Sequence, residues 1–153
     1  MQGHLAPFGI GFVTGLRSMT AAAALSWATF LGRTRTRWIP AGPGPRRLAT
    51  AAALAEMAGD KMPFAPDRRI PSSFAARLAI GAVGGTALAG PGATPLSGAL
   101  AGMAGAVAGT LLGRAARGTN TRPGAWARGL TEDAVAAGLA TALVCLAERR
   151  GRA

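Results

Sequence analysis

The sequence predicts an all-α membrane protein, a polytopic bundle of about four spanning helices plus one short re-entrant or interfacial helix in a single domain. The 36 residues from Leu78 to Gly113 carry no charge, and Pro91 and Pro95 divide them into two apolar helices. A charge at the centre of a bilayer costs about 2.5–3.5 kcal/mol, which explains such a run. Half of the residues are hydrophobic and 23 are glycine, a composition typical of closely packed membrane helices.

Five apolar segments follow one another along the chain. The first, residues 5–31, is long enough at about 1.5 Å per residue to cross a ~30 Å hydrocarbon core with a tilt or a break. The second, residues 48–60, is too short to cross easily. We expect the remaining three, residues 74–90, 96–113 and 131–147, to span the bilayer.

The positions of the arginines suggest a topology. If the second segment does not cross, the Arg-rich loops after the first, second and fourth segments all lie on one side. The positive-inside rule makes that side the cytoplasm, so the sequence predicts a multi-pass protein of the inner membrane. The alternative is that the second segment is longer and does cross. The loop before it carries Arg33, Arg35, Arg37, Arg46 and Arg47.

Other classes of protein are disfavoured by the distribution of charge and chemistry. The net charge is +11, but the arginines lie between apolar segments and are not grouped with aromatic residues, so we expect no nucleic-acid partner. His4 is the only histidine and Cys145 the only cysteine. No metal-ligand spacing and no nucleophile–base set can be assembled, so we predict no metal, no cofactor and no enzymatic activity.

The fourth segment has the clearest packing pattern, because its glycines recur every three or four residues on one helix face. Such spacing lets another helix approach closely, either within the chain or in a homo-oligomer. The first and third segments carry glycine pairs that offer partners within the chain. The glycines of this face are Gly98, Gly102, Gly105, Gly109 and Gly113.

Arg17, with Ser18 and Thr20 beside it, forms a polar motif in the middle of the first segment. An ionised arginine at such depth needs an anion or backbone carbonyls. It therefore indicates a site that faces a substrate or ion, or a structural ion pair. A third interpretation is that two half-helices meet near Gly15 and bring Arg17 close to the interface.

Two further motifs contain acidic residues. Glu56 and Asp60 share a helix face at a spacing of four, with Lys61 after them, and a carboxylate at Glu56 is suited to carry a proton or a cation. Asp133 follows Thr131, which we expect to cap the last helix. Asp133 either complements that helix dipole or neutralises Arg17.

These motifs resemble a family of bacterial membrane proteins grouped as domain of unknown function 4126. The resemblance rests on residues 15–20 and on the Glu/Asp-Lys-Pro run of residues 56–63, and it extends over roughly residues 8–147. It implies an integral membrane protein, marks Glu56, Asp60 and Lys61 as functional candidates, and implies no substrate.

The leading functional expectation is that the protein binds or moves a small solute or ion. Arg17, Ser18 and Thr20 would face Glu56 and Asp60 across a cavity within the bilayer. The alternatives are a non-transporting assembly partner, in which the charges form structural pairs, and a protein that recognises anionic lipid headgroups. The lipid alternative assigns the headgroup to Arg33, Arg35 and Arg37. The expected partners are the lipid bilayer and a second copy of the chain.

Overall fold

The computed structural model describes residues 2–59, 71–117 and 125–147, and these fold into helices with no strand among them. The predicted all-α class is therefore confirmed for this part of the chain. Its helices are α1 (Gln2–Leu16), α2 (Ser18–Phe30), α3 (Pro43–Gly59), α4 (Pro71–Leu88), α5 (Pro95–Arg117) and α6 (Ala125–Leu146).

The first apolar segment does not continue as a single helix. Arg17 separates α1 from α2 with an extended backbone, at φ −146° and ψ 105°. Ile10 of α1 and Leu25 of α2 both lie against Gly84 of α4, so α2 runs back alongside α1. The segment expected to cross from residue 5 to residue 31 is instead a helical hairpin with Arg17 at its tip.

Both ends of this hairpin lie at one end of the bundle, beside the turn between α4 and α5. The Gly3 carbonyl of α1 accepts the N–H of Gly90 at 2.9 Å, and the Arg35 N–H after α2 donates to the Ala87 carbonyl at 2.8 Å. Pro7 explains the first of these bonds. Since proline has no N–H to donate four residues back, it leaves the Gly3 carbonyl free for Gly90. We call this end of the molecule the turn end and the opposite end the tip end.

The remaining helices alternate in direction between the two ends. Trp27 of α2 contacts Thr50, and Met19 near the tip contacts Glu56, so α3 runs antiparallel to α2 along its whole length. The loop before α3 is therefore at the turn end, whereas α3 ends and α4 begins at the tip end. This arrangement differs from the expectation that α3 enters and leaves on one side.

The glycine face of α5 packs between α1 and α4, with backbone against backbone. A Cβ added at Gly102 would lie 2.0 Å from the Gly81 carbonyl oxygen, and one added at Gly11 would lie 1.9 Å from the Gly102 oxygen. Further along, Cβ atoms at Gly105 and Gly109 would overlap carbonyl oxygens of α1. All these contacts are within the chain. We call the contact of α5 with α1 and α4 the glycine seam; its members are Gly11, Gly15, Gly81, Gly85, Gly98, Gly102, Gly105, Gly109 and Gly113.

The outer surface of the bundle is rich in apolar side chains, while several charged side chains are buried inside. Seventeen large hydrophobic side chains of the described residues are exposed, on every helix. Within the described residues, two helical stretches, Pro95–Ala116 and Ala127–Leu146, are long and apolar enough to cross a membrane, and the apolar helix Ser73–Leu88 is shorter. By this criterion, fewer helices qualify than the four that the sequence predicts.

Candidate functional site at the hairpin tip

Arg17 is buried at the tip of the hairpin and makes an ion pair with α6. Its side chain is 1% exposed, and its Nη2 lies 2.6 Å from Oδ1 of Asp133. Of the counter-ions that the sequence offered for Arg17, the structure therefore places Asp133 beside it. An ion pair at such depth compensates the loss of hydration of both groups only when the geometry is close, as it is here.

Glu56 lies at the same tip but contacts backbone rather than Arg17. Its Oε1 accepts the N–H of Ser18 at 3.1 Å, and its Oε2 accepts the N–H of Met19 at 2.9 Å. These two N–H groups belong to the first turn of α2, which has no partner for them within the helix. The carboxylate thus occupies the positive end of the α2 dipole, a position that binds anions in many proteins.

Arg77 of α4 binds a backbone carbonyl at the end of α1, on the other side of the break. Its Nη1 donates to the carbonyl of Gly15 at 2.8 Å, and Oγ1 of Thr110 donates to the same oxygen at 3.4 Å. This carbonyl is in the last turn of α1, where the break removes its helical partner. The guanidinium therefore lies at the negative end of the α1 dipole, and its side chain is 6% exposed.

Together these residues form what we call the tip cluster, defined as Arg17, Glu56, Arg77 and Asp133. It contains two cations and two anions, contributed by the hairpin, α3, α4 and α6. At the break between α1 and α2, Glu56 lies at the positive end of the α2 dipole and Arg77 at the negative end of the α1 dipole. Arg17 and Asp133 form an ion pair beside them. The formal charges of these four residues sum to zero.

The other predicted site residues are near the tip or outside the described residues. Ser18 contributes the N–H that Glu56 accepts. Thr20, also in the first turn of α2, is buried, and its hydroxyl has no hydrogen-bond partner. Asp60 and Lys61 lie outside the described residues. The expectation that Arg17 faces Glu56 directly differs from the structure, since a separate partner serves each of them.

Two details of the cluster differ from the sequence analysis. Arg77 is not among the predicted site residues, although it lies seven residues into α4 (Pro71–Leu88) and is buried. Its position inside an apolar segment was the signal that could have identified it. Thr131 does not cap α6, because the helix begins at Ala125 and Oγ1 of Thr131 donates to the Ala127 carbonyl at 2.8 Å.

The charged side chains and backbone N–H groups at the tip can bind ions and change hydrogen-bond partners. Among residues 2–59, 71–117 and 125–147, no group of three or more His, Cys, Asp or Glu side chains is placed to hold a metal ion. The Glu56 carboxylate accepts the N–H groups of Ser18 and Met19, which another anion in the same place would also accept.

No protein-family model, no curated protein and no solved structure matches this chain. The resemblance noted from residues 15–20 and 56–63 therefore stays a prediction.

Proposed function

We propose that this chain is a multi-pass protein of the inner membrane in which α3, α4, α5 and α6 cross the bilayer. The α1–α2 hairpin enters from the turn end and stops before the opposite surface. Two observations support this assignment: the exposed apolar side chains on every helix and the two stretches of sufficient length for a crossing. The re-entrant element is then the first segment rather than the second. Positive charges occur at both ends of this bundle, so they do not select its orientation.

We further propose that the protein binds or moves a small solute or ion at the tip cluster. The observation that carries this proposal is the contact of the Glu56 carboxylate with the Ser18 and Met19 N–H groups. In membrane transporters, irregular backbone at membrane depth is tolerated where it lines a cavity, and broken helices direct their N-termini at anionic groups. Glu56 is the side chain that would exchange with the solute or carry its charge.

Native mass spectrometry of the protein released from mild detergent tests this proposal, with wild type compared with Glu56→Gln. We expect the wild type to retain a small molecule or ion that the variant loses. Arg114→Gln is the control, because it removes a charge from an exposed position on α5 at the tip end. Identical spectra for all three proteins, with nothing bound, would contradict a ligand role for Glu56.

A second candidate is a non-transporting assembly or structural partner in the membrane. It is favoured by the fact that Arg17, Glu56 and Arg77 each already have a partner of opposite charge or polarity within the chain. The tip cluster would then serve only to hold the hairpin together. In that case Glu56→Gln lowers stability without changing what the protein retains, and the same spectra distinguish the two candidates.

A further inference from the structure

At the turn end, Arg46 of α3 lies against two aromatic rings of α2. Its guanidinium carbon is 3.6 Å from the centre of the Phe30 ring and 4.8 Å from that of Trp27. Cation–π contacts of this kind hold the guanidinium plane in place. Nε of Arg46 also donates to the Gly42 carbonyl at 3.4 Å, a bond that does not involve the two terminal nitrogens of the guanidinium. Arg46 is therefore an ordered cation at the surface rather than a freely moving one.

The aromatic side of this contact is itself fixed. Nε1 of Trp27 donates to Oγ1 of Thr50 at 3.2 Å, and that hydroxyl donates to the Arg46 carbonyl at 2.8 Å. The two rings, the guanidinium and the first turns of α3 thus form one connected unit. Such a unit loses little side-chain entropy when it binds a ligand.

The surroundings of Arg46 are positive and apolar. Arg47 is exposed next to it, and none of the first 55 residues is Asp or Glu. Trp38 is 62% exposed and Leu48 is 72% exposed, while Phe30 is half exposed. A cation stacked on two exposed aromatic rings, one of them tryptophan, fits the boundary between acyl chains and headgroups, where tryptophan is enriched.

Two of the three arginines that the lipid alternative names, Arg33 and Arg35, donate to carbonyls within the chain. Nη1 of Arg33 donates to the carbonyls of Val144 and Cys145 at the end of α6. Nη1 of Arg35 donates to the Ala93 carbonyl at 2.7 Å, in the turn between α4 and α5. Arg46 and Arg47 are a second pair of cations at the turn end, and Arg47 is exposed.

We propose that Arg46, with Arg47, Trp27 and Phe30, forms a binding site for the headgroup of an anionic phospholipid. The guanidinium groups bind the phosphate, and the exposed Trp27 and Phe30 rings lie against the acyl chains. Charge complementarity favours an anionic lipid over a zwitterionic one. The exposed rings favour a lipid over a free anion. The site is at the opposite end of the bundle from the tip cluster and is independent of the function proposed there.

Titration with phosphatidylglycerol, followed by native mass spectrometry, tests this site. For Arg46→Gln we expect the association constant to fall about fivefold, which corresponds to the ~1 kcal/mol that one basic side chain contributes near an anionic leaflet. Arg46→Lys keeps the charge but loses the flat stacking on Phe30, so we expect a smaller loss. Arg114→Gln is the matched control: it removes an exposed arginine at the tip end and should bind like wild type.

Phosphatidylcholine and inorganic phosphate are the comparison ligands, and neither should distinguish the variants. Equal phosphatidylglycerol binding by wild type and Arg46→Gln would overturn the proposal, as would an equal fall in Arg114→Gln. Displacement of phosphatidylglycerol by inorganic phosphate would also overturn it, since the site would then be one for free anions. If Arg46→Gln does not fold, Arg47→Gln provides the same comparison from an exposed position.

Discussion

The two arms of the hairpin are held in different ways. α1 packs against α5 and α4 by direct backbone approach, with glycines facing carbonyl oxygens at Gly11 and Gly102. α2 is held against α3 by side chains, from the Glu56 carboxylate at the tip to Arg46 on Phe30 at the turn end. The first contact admits no additional atom, whereas the second consists of hydrogen bonds and stacked groups that separate one at a time.

This difference indicates which part of the molecule is able to move. Close-packed backbones have one arrangement, because a displacement of α1 opens a gap along the whole glycine seam. α2 and α3 are connected by discrete polar contacts, so a change at Glu56 affects α2 without disturbing α1. The following substitutions test how each arm is held, in order of decreasing expected effect.

The largest effect is expected in the glycine seam. Gly102→Val places a branched side chain where a single Cβ would already lie 2.0 Å from the Gly81 oxygen. We expect a loss of more than about 3 kcal/mol, measured as failure to recover monodisperse protein or as a large fall in Tm. Gly138→Ala is the control: nothing lies within 4 Å of its added Cβ, so Tm should stay the same or rise. A Gly102→Val protein as stable as wild type would contradict the close backbone packing of the glycine seam.

The ion pair at the tip should rank next. Asp133→Asn removes the carboxylate that lies 2.6 Å from the buried Arg17 guanidinium. Removing one partner of a buried ion pair costs about 3–5 kcal/mol. Thermal unfolding in detergent measures the loss. The double variant Arg17→Met with Asp133→Leu removes both charges and should recover part of it. If the double variant is as unstable as the sum of the single ones, the two groups do not act as a pair.

Glu56→Ala should have a smaller and more local effect. It removes two charge-assisted bonds to the Ser18 and Met19 N–H groups. Because Glu56 is only half-buried, water can replace the carboxylate, so the total loss should be about that of one such bond, roughly 1.5–3 kcal/mol. Hydrogen exchange of backbone amides gives the position of the effect. We expect faster exchange in the first turn of α2 and unchanged exchange in α1, whereas equal acceleration in both arms would mean that the hairpin unfolds as one unit.

The smallest effect is expected at Thr50, midway along α3. Thr50→Val keeps the shape of the side chain but removes the acceptor for Trp27 Nε1. A single neutral hydrogen bond contributes about 0.5–1.5 kcal/mol, so Tm should fall by only a few degrees. Trp27→Phe removes the same bond and also the indole that Arg46 contacts, so its fall should be larger. The double variant should lose less than the sum of the two single ones, because both remove the shared bond.

The sequence predicted those features of the fold that depend on residues close to one another along the chain. The uncharged run from Leu78 to Gly113 predicted two helices with a turn at Pro91 and Pro95, and the structure has α4 and α5 there. The glycine spacing of α5 depends only on helix periodicity, so its contact face could be read directly. Arg17, Glu56 and Asp133 were identified because charges are rare in such segments.

The sequence alone did not show which charged residues contact one another, or whether the first segment continues through Arg17 or turns back. Whether a helix continues through Arg17 or turns back depends on Asp133, Glu56 and Arg77, which are distant in sequence. A length criterion therefore predicted one crossing for residues 5–31. Arg77 was missed for the same reason, since its partner is the Gly15 carbonyl at the broken end of α1, which is distant in sequence.

The central claim is that the first segment turns back at Arg17, so that both of its ends lie on the same side of the membrane. Single cysteines at Leu5 and Trp38, both exposed, can be labelled with an impermeant maleimide in sealed, oriented vesicles of a Cys145→Ser background, with Ala115→Cys at the tip end for comparison. We predict that positions 5 and 38 are labelled from one side and position 115 from the other. Labelling of positions 5 and 38 from opposite sides would show a crossing helix and contradict the hairpin.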